Sequence, residues 1–132
     1  MKEEEALRLL RSLLDSEGAE WTEELGWLRF RLRHGAMVWE TACRAVDGMA
    51  LIYSRFPFRC ADPEGARRVC DELNRRLQRG ALYLEPDGSP VYRCGAELDD
   101  VYGAEARVVS ALRYSAQVVG YAWSRLSAIG TL

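Results

Sequence analysis

The residues able to do chemistry are few, and they do not converge on a reaction. A single histidine, His34, stands beside Gly35 where the chain should turn. One imidazole offers no two-histidine metal site, and His34 reads as an ordinary turn residue. Cys43, Cys60, Cys70 and Cys94 are separated by 17, 10 and 24 positions, so no Cys-x-x-Cys pair supplies two ligands from one turn. They read as reduced thiols acting as small buried hydrophobes. No GxxxxGK[ST], GxGxxG or GxSxG run occurs, so no phosphate-cradling loop or nucleophile elbow is expected. Glu3 to Glu5 and Asp99-Asp100 fall at helix starts or in a loop, where acids complement the helix dipole, and Glu23-Glu24 precede the first expected strand. One carboxylate stands apart. Glu40 is expected between Arg29 and Arg55, an arrangement that orients a ligand inside a pocket and is a structural ion pair on an open sheet.

The cations are patterned more clearly than the acids. Arg29, Arg31 and Arg33 alternate with Leu28, Phe30 and Leu32, which places the arginines on one face of a strand and the apolar residues on the other. With Trp27 and Tyr53 nearby, such a row can read RNA by stacking and phosphate contact. The overall balance opposes that reading: 18 Lys+Arg against 20 Asp+Glu leave a formal net charge of -2, and no glycine-aromatic RNA-recognition run is present. Arginine mixed with aromatics is enriched at protein interfaces, so a protein partner fits this face better than nucleic acid. The 132 residues are 48% hydrophobic and 29% charged, as expected of one globular domain spanning 1–132 rather than a disordered chain. No apolar run is long enough to span a bilayer, and the start MKEEEALRLL is unlike a signal peptide. No membrane insertion and a cytoplasmic location are expected.

These residues must be positioned by helices and strands whose periods alternate along the chain. Ala6, Leu7, Leu10, Leu13 and Leu14 repeat at helical spacing and predict a helix over 3–17. From Trp27 the period is two, and turns at His34-Gly35 and Asp47-Gly48 divide 27–57 into a three-stranded antiparallel meander. A two-residue turn at Asp47-Gly48 sets Val46 opposite Met49, Arg44 opposite Leu51, Ala42 opposite Tyr53 and Glu40 opposite Arg55. The matching turn at His34-Gly35 sets Glu40 opposite Arg29. One face then collects Leu28, Phe30, Leu32, Met37, Trp39, Cys43, Ala45, Ile52 and Phe56. The other carries Trp27, Arg29, Arg31, Arg33, Val38, Glu40, Arg44, Leu51, Tyr53 and Arg55, which is too apolar to be merely wet.

Asp62 as N-cap, Pro63 at the first helical position and Gly80 as terminator predict a second helix over 63–79, with Ala66, Val69, Cys70, Leu73 and Leu77 on its apolar stripe. Pro86-Asp87-Gly88 turns a second hairpin over 81–96, packed through Leu82, Leu84 and Val91 or Tyr92. Val108, Leu112, Val119, Trp123 and Leu126 predict a long last helix over 104–128. The expected fold is α+β, in the order α-β-β-β-α-β-β-α, with a mainly antiparallel five-stranded sheet packed against helices.

With that order in place, the chain resembles the YbjN family of bacterial proteins, whose fold is that of the type III secretion chaperones. The matching stretches are LIYSRFPF (Leu51 to Phe58), DPEGARRVCDELNRRL (Asp62 to Leu77) with its Leu73-Asn74 step, GALYLEPDGSPVYR (Gly80 to Arg93), and the final helix with Trp123. The resemblance spans Trp27 to Leu126. It implies a non-enzymatic protein, dimeric, that binds a segment of another protein or acts in regulation, with no catalytic residue and no cofactor or metal to carry over. The expected function is a chaperone-like or regulatory adaptor that engages a protein client through Trp27, Arg29, Arg31, Val38, Leu51, Tyr53 and Arg55. Two alternatives stand beside it: a small-ligand or enzymatic domain built on Glu40 between arginines, and a regulatory RNA binder.

Overall fold

The computed structural model describes residues 2–130. Its first helix, α1 (Glu3–Ser16), forms where the leucine spacing requires it. Glu3, Glu4 and Glu5 fill the first turn, and Ala6, Leu7, Leu10, Leu13 and Leu14 are buried. There follow β1 (Thr22–Glu24), β2 (Trp27–His34), β3 (Met37–Val46) and β4 (Met49–Arg55), then α2 (Pro63–Asn74), β5 (Ala81–Leu84), β6 (Pro90–Glu97) and α3 (Ala104–Ser127). The strands form one antiparallel sheet in the order β1-β2-β3-β4-β6-β5.

The sheet has six strands where five were expected. The added strand, β1, is short and exposed throughout, so its sequence carries no apolar period to reveal it. It folds back because Leu25 and Gly26 both take positive φ, 53° and 82°, the geometry of a tight hairpin turn. Arg11 holds it to α1 by donating from Nε and Nη2 to the two carboxylate oxygens of Glu23 at 2.6 and 2.7 Å.

The β3–β4 register is as expected, Val46 opposite Met49 through Glu40 opposite Arg55. The β2–β3 register differs by two residues. The turn is Gly35-Ala36 rather than His34-Gly35, so His34 pairs with Met37 and Glu40 lies opposite Arg31, not Arg29. A slip of two preserves every face, which is why the expected division of residues survives it. His34 is the last strand residue, and its ring lies over Gly120 of α3, where an added Cβ would sit 2.4 Å from the imidazole.

The side chains on one face of the sheet build the core with all three helices. Leu28, Trp39, Ile52, Tyr92 and Cys94 meet Leu10 and Leu13 of α1, Cys70 and Leu73 of α2, and Val108, Val119 and Leu126 of α3. Trp39, Phe56 and Phe58 surround Trp123, with ring centroids 6.2, 5.9 and 5.5 Å from it. Offset and edge-on aromatic contacts of this kind add about 0.5–1.5 kcal/mol each to the area they bury.

α2 starts as expected: the Asp62 carboxylate accepts from the Gly65 amide at 3.1 Å, with Pro63 next in the chain. It ends at Asn74 rather than at 79, which leaves Leu77 outside the helix. The reason is tertiary. Asn74 donates from Nδ2 to the Leu82 carbonyl at 2.9 Å and accepts from the Leu82 amide at 2.8 Å. The intervening turn is held by tyrosines, since Tyr92 donates to the Arg79 carbonyl at 2.7 Å and Tyr114 accepts from the Gln78 amide at 3.0 Å.

All four thiols are buried and unpaired. Burial pushes Cys43 up to about 12, and burial with the neighbouring Cys60 and Asp71 pushes Cys70 up to about 11. The thiolate is the reactive species, so the native protein should resist Ellman's reagent at pH 8 and react only when unfolded by denaturant. Rapid modification of the native chain would show that the core opens locally. No helix among the described residues is long and apolar enough to cross a membrane.

Candidate functional site

No helix packs on the opposite face of the sheet among the described residues, because the apolar faces of α1, α2 and α3 are all used on the core side. Antiparallel pairing assigns its residues in rungs across neighbouring strands. Arg44, with the Trp27 ring beside it, faces Leu51 and then Gly95. Arg29 stands opposite Ala42, then Tyr53, Arg93 and Ala81. Arg31 stands opposite Glu40, then Arg55, Val91 and Tyr83. Arg33 stands opposite Val38. Trp27, Arg29, Arg31, Val38, Leu51, Tyr53 and Arg55 therefore share this uncovered face.

The centre of the face is a hollow of about 500 Å³. It exists because Ala42 is small where its neighbours are large, so Trp27 reaches diagonally across it to Tyr53, ring centroids 5.6 Å apart and planes tilted by 59°. The Arg44 guanidinium lies 4.8 Å from the centroid of the Trp27 ring. That cation–π contact contributes about 0.5–2 kcal/mol, depending on how dry the pair is. It also holds the indole in place beside Tyr53. Arg44 Nε is buried without a hydrogen-bond partner. The far wall is Tyr83 of β5, 38% exposed, above a buried Val91. Burial, and then the Glu85 charge, push the Tyr83 phenol above its ordinary value.

Charges rim the hollow in alternation. Arg31 Nε donates to Glu40 Oε1 at 2.9 Å, with both side chains well exposed, at 73% and 64%. Arg55 turns away from Glu40 and donates to Asp87 Oδ2 at 2.6 Å and to Ser89 Oγ at 3.1 Å. Hydrogen bonds from Ser89, and then the charge of Arg55, hold the Asp87 carboxyl below its ordinary value. Glu40 is thus not clamped between Arg29 and Arg55. It is half of a solvated ion pair at the edge of a shallow concavity.

Of the expected residues, Trp27, Arg29, Tyr53 and Arg55 line the hollow together with Glu40. Arg31, Val38 and Leu51 lie on the surrounding face. Tyr83, Glu85 and Val91 were not expected there, because the sequence does not say which strand the second hairpin joins. No local pattern could have placed them: Val91 and Tyr92 are both buried, Val91 on the open side and Tyr92 among the core residues, and the pairing of β6 with β4 decides which is which.

No family model matches the chain, and no curated protein does. Its fold matches the crystal structure of YbjN from E. coli, a candidate transcription regulator, with a TM-score of 0.66 over 90% of this chain and 92% of that one, at 17% identity.

Proposed function

From a YbjN-like fold with one uncovered, aromatic-and-arginine sheet face, we propose a non-enzymatic regulatory adaptor that binds a segment of a partner protein on that face. The observation that carries this reading is the hollow over Ala42, where Trp27, Tyr53 and Tyr83 stand around an apolar floor inside a rim of arginine and glutamate. Rigid aromatics beside arginine are what protein interfaces concentrate at their centres, and a polar rim excludes water around them. Glu40 and Glu85 interrupt the basic surface, which disfavours a nucleic-acid backbone. The exposure of Glu40 disfavours an enzymatic site, which needs a carboxylate enclosed with its substrate.

The test is affinity capture by the tagged full chain from the cells that make it, beside a Trp27→Ala/Tyr53→Ala variant. Interface aromatics of this kind contribute about 2 kcal/mol or more each, so partners held by the wild type should fall at least tenfold on the variant. Circular dichroism should show an unchanged fold, because neither ring is in the core. Equal retention by both proteins, or return of the bait alone, would refute the reading. A homodimer is part of the proposal, and light scattering that shows only monomer at high concentration would remove it.

A further inference from the structure

The edges of the sheet are finished differently. At β5 the Asn74 side chain satisfies the outward backbone groups of Leu82, as a neighbouring strand would. At the other end β1 pairs with β2 only from Trp27 to Arg29. The rest of β2, Phe30 to His34, pairs with β3 on one side and meets no strand on the other. That free edge borders a groove of about 780 Å³. Leu13 and Leu14 of α1, Leu112 and Ala116 of α3 and Leu32 of β2 give it an apolar lining; of its cations Arg31 is already paired with Glu40, which leaves Arg33 and Arg113 against the single lining acid, Glu17.

We propose that this groove is a strand-addition site for an extended segment of a partner protein in which apolar residues alternate with acidic ones. The proposal rests on the protein-binding reading above and adds to it a second surface and a sequence pattern. A row of unpaired backbone amides and carbonyls is complemented by another extended backbone, whereas a helix in the groove would leave the row unpaired. Period two then sorts the incoming side chains. Alternate residues enter the apolar groove, and those between them stand on the face of Arg33 and of the Arg31–Glu40 pair, where Arg33 attracts carboxylates and repels ammonium groups. Five residues of β2 extend about 17 Å, so the bound segment is about five to seven residues long. A second copy of this chain is the wrong occupant. Joining two β2 edges about a two-fold axis would bring the arginines of one copy beside those of the other.

The experiment pans a random twelve-residue peptide library on the immobilised full chain, then measures the enriched peptide by fluorescence anisotropy. Enrichment of alternating acidic and apolar residues is expected, with amide NMR shifts on binding centred on Phe30 to His34. N-methylation of the alternate residues that face β2 should weaken binding about tenfold, and N-methylation of the other alternate set should not. Arg33→Glu should also weaken it and should favour the same peptide with lysine in place of its acids; Arg33 is exposed, so the fold is expected to survive. Peptides with helical periodicity, indifference to N-methylation, or no enrichment would each overturn the proposal. Loss of binding in Trp27→Ala/Tyr53→Ala with Arg33→Glu unaffected would move the peptide to the sheet face. That outcome removes the edge site while leaving the protein-binding reading intact.

Discussion

Asn74→Ala should lower the stability of the domain by about 2–4 kcal/mol, although it removes only a small side chain near the surface. Its amide makes two bonds to one residue, 2.9 Å to the Leu82 carbonyl and 2.8 Å from the Leu82 amide. Leu82 is only 2% exposed and its side chain belongs to the core. A buried backbone group left without a partner costs about 1–3 kcal/mol, and here there are two. Against a total of about 5–15 kcal/mol for an ordinary domain, that is a large fraction. Asn74→Asp separates the two bonds, since a carboxylate still accepts from the amide but cannot donate to the carbonyl and sets a negative charge against it. Its loss should therefore match or exceed that of alanine. Urea unfolding followed by circular dichroism gives both values, and a cost below about 0.5 kcal/mol for Asn74→Ala would show that the β5 edge does not depend on this amide. The same variant opens a strand edge, so it should also aggregate more readily than the parent.

The role of Asn74 illustrates what the sequence conveys and what it withholds. Periodicity conveyed the helices, the meander, the Asp47-Gly48 register and the two faces of the sheet, because each depends on local alternation between apolar and polar residues. It misplaced the end of α2, because the stripe continues to Leu77 while the helix stops where Asn74 is needed by β5. It missed β1, whose Thr22-Glu23-Glu24 has no apolar residue and is held by a turn and an ion pair. The open face was legible as a set: Trp27, Arg29, Tyr53 and Arg55 were expected together and line one hollow. The contribution of Tyr83 and Val91 was not, since it depends on β6 inserting beside β4, a long-range pairing that no local pattern encodes. The partner of Glu40 was misassigned for a smaller reason. His34-Gly35 and Gly35-Ala36 both read as turns, but only the second puts Gly35, at φ 61°, in the first loop position with Ala36 at ordinary φ, which spares His34 the positive φ that a turn at His34-Gly35 would demand.

Trp39→Ala should be among the most damaging single changes in the core, at about 3–5 kcal/mol. The side chain is 2% exposed and lies 6.2 Å from Trp123 between ring centroids, so its truncation opens a large cavity in the core. Trp39→Phe is the informative companion. The Nε1–H of Trp39 is buried with no hydrogen-bond partner, a state that costs about 1–3 kcal/mol relative to a satisfied donor. Phenylalanine sheds that unpaired donor and keeps an aromatic face toward Trp123, while giving up part of the buried volume. The two effects oppose each other, so the net change should stay within about 1.5 kcal/mol of the parent. A cost close to that of alanine would mean that the indole N–H is bonded in solution and that the cavity term alone does not govern the site. The comparison also bears on function, because Trp39 lies between Val38 and Glu40 in β3, and those two residues emerge on the open face. If Trp39 is the buttress that holds β3 flat, Trp39→Phe should leave partner capture unchanged. Trp39→Ala should reduce capture even at temperatures where circular dichroism shows the chain still folded.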